Sequence, residues 1–162
     1  MKHLLVIIGM LLVTAGVQGQ AVEVKGNQIV IDGKEQATIE KQGCGIKPDC
    51  TYYIRDAKGK TLITIIAMDF NDPSAKTNIN EDGLVRYLRF SFSDGKGIAE
   101  VPNPALLALK PKDVAQIIAK ANLIKDGELN AEEVQNFVQA HGTSYSDRKK
   151  EVSKQIIIIQ KE

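Results

Sequence analysis

The residues best suited to catalysis lie together in one short stretch, His141-Gly-Thr-Ser-Tyr-Ser-Asp. Histidine, serine and aspartate are the side chains of a hydrolase triad, in which the histidine takes the proton of the serine hydroxyl. Triads are assembled from distant segments, however, and no Gly-x-Ser-x-Gly turn is present. A histidine at a helix end also commonly complements the helix dipole. The stretch therefore favours a structural role, and a hydrolase with an unconventional site is kept as an alternative.

A second stretch, from Asn122 to Glu133, resembles the calcium loop of an EF-hand. Gly127 falls at the turn position and Glu133 at the position of the bidentate carboxylate. The third position is Ile124, which offers no side-chain oxygen, whereas calcium needs roughly six to eight oxygen ligands. Turn formation and helix capping account for the same letters. We therefore expect no metal ligand and no cofactor, with a calcium-stabilised domain as the alternative.

Aromatic, cationic and oxygen-bearing side chains form a third group, suited to binding. Tyrosine and arginine are favoured at binding surfaces, and a long polar loop over residues 69–83 adds carboxylates and amides. The competing interpretation is ordinary sheet packing and a solvated loop, because Asp and Asn are common turn formers. The candidate ligand-contact residues are Tyr52, Tyr53, Arg55, Tyr87, Arg89, Asp69, Asn71 and Asp72.

Two cysteines, Cys44 and Cys50, are separated by Gly-Ile-Lys-Pro-Asp. In an exported chain, an even pair this close indicates a disulfide, and Gly45 and Pro48 favour the chain reversal that it needs. Metal binding would need further soft ligands, and His141 is far away in sequence. Free or redox-active thiols are the other alternative, although redox pairs usually have the tighter Cys-x-x-Cys spacing.

The amino terminus has the three-part pattern of a secretory signal. A short charged head precedes an apolar run over residues 4–13, and small residues follow up to Gly19. We predict cleavage after Gly19, giving a signal peptide over residues 1–19 and a single domain over residues 20–162. The apolar run is about half as long as a membrane span. We therefore expect an exported protein, periplasmic or extracellular, without a membrane span.

The charge balance excludes one class of partner. The chain has 21 Lys and Arg residues against 20 Asp and Glu residues, a net charge of +1. A nearly neutral chain lacks the basic footprint of a nucleic-acid-binding protein. The expected partner is therefore a protein or a small-molecule ligand, and not a nucleic acid.

The elements that would position these residues begin with a series of β-hairpins. Asp32-Gly33 and the segments 56–60 and 94–96 are turn signals between β-rich runs. Successive hairpins predict an antiparallel meander. The run over 61–68 is apolar on both faces, which predicts a strand in the middle of a covered sheet.

After Pro111 the pattern becomes helical. A first helix carries apolar residues at 114, 117, 118, 121 and 124. A second is expected to begin at Asn130 with a capping box to Glu133 and to end at Gly142. The β-branched run over 156–159 favours a final strand. The predicted fold is α+β: an antiparallel β-meander, a C-terminal helical hairpin packed on one face, and a final apolar strand.

The run from Asn122 to Val138, with Asp32-Gly-Lys and Ile39-Glu-Lys, resembles small exported bacterial proteins of unassigned function. The likeness extends over about half of the mature chain, and it implies an exported compartment and a shared fold but no activity. Together these observations predict a non-enzymatic binding or structural domain.

Overall fold

The computed structural model describes residues 20–44, 50–105 and 108–159, with side chains of the last helix up to residue 155. The signal peptide predicted for residues 1–19 lies outside the described residues. The chain forms an antiparallel sheet with helices packed against it. The predicted α+β class is confirmed.

Seven strands form one sheet in which each strand pairs with the next along the chain, as a meander requires. Local turn chemistry sets this order: Asp32 and Gly33 both have positive φ, 51° and 78°, the geometry of a tight hairpin turn. A separate two-stranded hairpin lies between two helices. The strands are β1 Val22–Lys25, β2 Gln28–Ile31, β3 Lys34–Gln42, β4 Thr51–Arg55, β5 Thr61–Asn71, β6 Leu84–Phe92, β7 Ile98–Pro102, β8 Ile124–Lys125 and β9 Glu128–Leu129.

The α-helices are α1 Pro111–Lys120, α2 Ala131–His141 and α3 Ser144–Ile159, and a short 3-10 helix spans Pro73–Ala75. At the start of α1 the Asp113 carboxylate accepts the Lys110 backbone N–H at 2.8 Å. Asn130 precedes α2 as predicted, but its side chain makes no capping hydrogen bond, so the predicted capping box is wrong. Glu133 instead accepts a hydrogen bond from the Asn136 side chain.

The main core lies between α1, α2 and one face of the sheet, which we call the inner face. Side chains alternate between faces along a strand, and cross-strand pairs such as Ile65 with Phe90 fill the inner one. Phe137 of α2 closes the core with its ring 5.4 Å from that of Phe90. Val114 and Ile118 of α1 are fully buried in the same cluster. The two predicted helices therefore do pack on one face.

The predicted final strand is wrong, because residues 156–159 continue α3. The β-branched run follows twelve residues that are already helical, and helix propagation adds one hydrogen bond for each residue fixed. β-propensity is a context-dependent preference, and this context overrides it. Helix α3 also lies on the opposite, outer face, where Val152 packs with Phe70 and Tyr87. The fold thus has helices on both sides of its sheet.

Candidate functional site

The outer face of the sheet is covered by α3 over part of its area. Away from α3, the side chains of β3 to β6 on this face are half-buried or exposed, and no hydrogen bond, ion pair or ring contact joins them to a described helix. We call this region the open face. It comprises Glu40, Thr51, Tyr53, Arg55, Thr64, Ile66, Arg89 and Ser91.

Tyr53 and Arg55 form a fixed pair on the open face. They are two residues apart on β4, so both side chains point outward, and the guanidinium carbon lies 5.4 Å from the centre of the tyrosine ring. Arg55 is also held by Glu40 at 3.3 Å and by the Thr61 hydroxyl at 3.1 Å. The cation-π contact and these bonds hold both side chains in one geometry before any partner arrives.

Arg89 differs from Arg55 because its charge is not neutralised. It is half-buried on β6, opposite Ile66 of β5 and Glu100 of β7. Within the described residues its guanidinium makes no ion pair or hydrogen bond, since the Glu100 carboxylate bonds to Ser146 instead. The open face therefore presents one available cation beside one apolar side chain.

Tyr52 and Tyr87, two of the predicted contact residues, are fully buried. Tyr52 points to the inner face, where its hydroxyl donates to the Leu109 carbonyl at 2.6 Å. Burial, with the nearby charge of Asp113, raises the pKa of Tyr52 to about 12. Tyr87 lies on the outer face beneath α3, stacked on Tyr145 at 5.0 Å between ring centres.

Asp72 is 4% exposed and anchors α3 to the long loop. Arg148 donates to its carboxylate from Nε at 2.7 Å and from Nη2 at 3.0 Å. The Ser74 hydroxyl donates to the same carboxylate at 2.8 Å. The hydrogen bond from Arg148 is the main reason why the pKa of Asp72 is far below its usual value. Asp72 is thus engaged within the fold.

The rest of the loop over residues 69–83 is held in a defined conformation by hydrogen bonds. Asn71 donates to the Asp82 carbonyl at 2.9 Å, and Lys149 of α3 donates to the Asp69 carbonyl at 3.2 Å. Asn80 is the central residue, because its amide bonds to the backbone of residues 75 and 84. Asp69 and Asn71 therefore lie at the end of β5, where Lys149 of α3 contacts only the Asp69 backbone, apart from Tyr53 and Arg55.

Glu100 is a buried carboxylate that the sequence reasoning missed. It is 1% exposed, and it accepts the backbone N–H of Ser146 at 2.8 Å and the Ser146 hydroxyl. An anion at a helix N-terminus satisfies an otherwise unpaired N–H and complements the helix dipole. The signal was present as a glutamate between Ala99 and Val101, where a strand is otherwise apolar.

The proposed catalytic stretch does not assemble into a triad in the described structure. The exposed His141 packs on Phe137, 4.6 Å between ring centres, and it makes no hydrogen bond with either serine. Ser146 is bonded to Glu100, and its hydroxyl lies 3.5 Å from that of Tyr87. The arrangement fixes α3 and leaves the histidine separate.

The stretch that resembles an EF-hand closes into the β8–β9 hairpin, with a turn at Asp126 and Gly127, both at positive φ. Across residues 20–44, 50–105 and 108–159, no cluster of three or more His, Cys, Asp or Glu side chains is arranged to hold a metal ion. Cys44 and Cys50 are bonded, with their Cα atoms 4.6 Å apart, which confirms the predicted disulfide. No described helix combines the length and the apolar character needed to cross a bilayer.

Four of the grooves in the described part of the chain lie away from Tyr53, Arg55 and Arg89. Four grooves of about 200 to 480 Å³ are present, and none of these four is lined by those three residues. The open face is therefore not part of these grooves. Comparison of the chain with family models, with curated proteins and with solved structures gives no significant match, so its function must be argued from this geometry.

Proposed function

We propose that the chain is an exported, non-enzymatic binding domain whose open face contacts a protein partner. The observation that carries this proposal is the fixed Tyr53–Arg55 pair together with Arg89, which lies beside Ile66 and makes no ion pair with any residue that the structure describes. Tyrosine and arginine are enriched at protein interfaces, and side chains that are already ordered lose less entropy on binding.

A protein partner fits the shape of this surface better than a small molecule. Small-molecule sites are concave and bury most of the ligand, whereas the open face lies outside the four grooves described above. Its charges further define the partner. Glu40 compensates Arg55, so Arg89 is the charge left for a carboxylate on the partner, next to an apolar contact at Ile66.

Export is supported by two independent features. The amino-terminal pattern predicts a signal peptide, and the Cys44–Cys50 disulfide is the kind of bond that persists in oxidising compartments. Mature protein isolated from the natural source should begin at Gln20, which intact mass measurement tests. A mass that includes residues 1–19 would contradict export through a cleaved signal.

The absence of enzymatic activity is supported by how the titratable groups are used. An active site brings several groups with shifted pKa values together in one pocket. Tyr52 lies in the inner core, whereas Asp72, Asp147 and Arg148 lie at the start of α3, and each of the four has a partner within the fold.

Photo-crosslinking tests the surface directly. A photoreactive amino acid at Thr64, in the open face, is compared with the same group at Gln116, an exposed position on α1. We expect a discrete crosslink to one protein from Thr64 and none from Gln116 in the native host. The partner, once purified, should bind Arg89→Ala at least about tenfold more weakly than wild type, as loss of a paired interface charge predicts. Equal crosslinking from both positions, or unchanged affinity, would contradict the proposal.

A further inference from the structure

A basic groove lies between α3 and the outer face of the sheet, and none of the residues of the open face lines it. Its volume is about 480 Å³. Met68 and Tyr87 contribute from the sheet, and α3 contributes a stripe that includes Ser146, Lys149, Lys150 and Lys154. Residues three and four apart share one side of a helix, so the three lysines all border this groove.

The charge of the groove is concentrated because no carboxylate is among its lining residues. Lys149 donates to the Asp69 carbonyl at 3.2 Å, and exposed Lys150 pairs with Asp147 at 3.0 Å outside the groove. Lys154 is exposed and makes no ion pair or hydrogen bond among the described residues. In a chain whose net charge is +1, three neighbouring ammonium groups, of which Asp147 compensates only that of Lys150, leave a local excess of positive charge that selects an anion.

The lining between the charges is largely hydrocarbon. Lysine side chains place their methylene stems along apolar surface while the ammonium group stays in water. Met68 adds a flexible thioether, a side chain that adapts to ligands of varied shape, and the fully buried Tyr87 closes the floor of the groove. A ligand that matches this arrangement has an anionic head and an apolar chain.

We infer that this groove binds a single-chain anionic amphiphile, such as a long-chain carboxylate. Its head would lie at Lys154 beside Lys150, and its chain would run over Met68 along the edge of α3, because Tyr87 and Val152 fill the space beneath the helix. The volume of the groove is within the usual range for small-ligand sites. A bilayer surface would meet the lysines but would not reach Met68 on the sheet, so a free amphiphile is the better match.

This site is independent of the proposed protein interface, although the two are neighbours. The cross-strand pair of Met68 and Tyr87 lies two residues along the strands from the pair of Ile66 and Arg89, on the same face. Either site can therefore be removed by substitution without changing the residues of the other.

Calorimetric titration of delipidated full-length mature protein tests the inference. The probes are laurate below its micelle concentration, dodecyltrimethylammonium as the cationic control, and vesicles of phosphatidylglycerol or phosphatidylcholine. We expect laurate to bind with one site per chain. The cationic analogue should bind at least about tenfold more weakly, because a tenfold change in Kd corresponds to the loss of a single modest charge contact.

Charge reversal locates the site. Lys150→Glu/Lys154→Glu should weaken laurate binding at least about tenfold, whereas the matched control Lys34→Glu/Lys112→Glu, at exposed positions elsewhere, should leave it within about twofold. Lys150→Gln/Lys154→Gln replaces the first variant if circular dichroism shows a folding defect. No laurate binding, equal affinity for the cationic analogue, or equal loss in the control would overturn the inference. Tighter binding to phosphatidylglycerol vesicles than to laurate would also overturn it, in favour of a membrane surface.

Discussion

Replacing Tyr52 by phenylalanine removes one hydroxyl from the inner core and leaves the ring in place. That hydroxyl donates to the Leu109 carbonyl at 2.6 Å and thereby ties β4 to the segment that leads into α1, 57 residues further along the chain. Both residues are buried, with exposures of 0% and 6%. After the substitution the carbonyl has no phenolic donor, and water has little access to replace it.

The expected cost follows from this geometry. A buried acceptor that loses its donor costs about 1–3 kcal/mol, and the retained ring avoids the larger cost of a cavity. We therefore expect Tyr52→Phe to lower the free energy of unfolding by about 1–2 kcal/mol at pH 7. With a urea m-value of about 1–3 kcal/mol/M, this corresponds to a fall in the midpoint of roughly 0.5–1.5 M.

The pH dependence gives the prediction a second signature. Burial raises the pKa of Tyr52 from 10.0 to about 12, so the folded state retains the phenol proton where the unfolded state has lost it. The stability linked to this proton is complete below pH 10 and is lost between pH 10 and 12, at up to about 1.4 kcal/mol per pH unit. Tyr52→Phe lacks this titration, so the two proteins should converge in stability over that interval.

Urea unfolding followed by far-ultraviolet circular dichroism, at pH 7 and in steps from pH 9.5 to 11.5, measures both effects. The control is Tyr53→Phe, a half-buried neighbour on the other face whose hydroxyl makes no hydrogen bond among the described residues. Its stability should stay within about 0.5 kcal/mol of wild type. A gap between wild type and Tyr52→Phe that is equal at pH 7 and pH 11.5 would refute the reasoning about the buried phenol.

Three further predictions, the first with a control substitution, test the turn at Gly83, the ion pair of Arg148 with Asp72 and the packing of Phe137. Gly83→Ala should lower the free energy of unfolding by about 2–4 kcal/mol in thermal unfolding, because φ is +65° and a Cβ would overlap the Asp72 carbonyl. The control Gly59→Ala has a similar φ of +81° but open space around the Cβ, so it should cost about 1–2 kcal/mol. If the two lose equal stability, the overlap is not decisive. Arg148→Gln should destabilise the fold at pH 7 and make its stability depend less on pH in the acid range. The reason is that the lowered pKa of Asp72 stabilises the fold above about pH 4, and this contribution disappears as the pH falls further. An unchanged dependence of stability on acid pH would count against the ion pair. Phe137→Ala should cost about 3–5 kcal/mol by opening a cavity beside two other rings, and a loss below 1 kcal/mol, measured by urea unfolding, would show that the core can collapse around it.

Most of the sheet could be predicted because its order is encoded locally. The turns predicted at Asp32-Gly33, 56–60 and 94–96 do lie between successive strands, since glycine or an Asp-Gly pair provides the positive φ that a tight turn needs. Alternation also places Tyr52 and Tyr53 on opposite faces without any knowledge of the rest of the fold. The sequence also predicts that β5 lies inside the sheet, and it does lie between β4 and β6, but its residues Thr64 and Ile66 are on the open face and are not covered by a described helix.

The position of α3 could not be predicted in this way. Its course depends on contacts with residues 46 and 76 positions earlier, Glu100 and Asp72, which no local pattern reveals. Those contacts decide which outer-face residues are covered, so Tyr87 and Arg89, two positions apart on one face, differ in burial. The candidate site could therefore be predicted only in part. The sequence indicates which residues are candidates, whereas packing against distant parts of the chain determines which of them stay accessible.

The late arrival of α3 has a consequence for biosynthesis. Each strand of the sheet pairs with the one made just before it, so the sheet can zip together as the nascent chain emerges, with little loop closure at any step. Phe70 and Tyr87 stay exposed to water, however, until Val152 has been synthesised. During that interval the sheet is complete but exposes an apolar aromatic patch. A stop codon placed after Gly142 would leave Phe70 and Tyr87 uncovered, and we expect the shortened chain to aggregate more readily than the full-length protein.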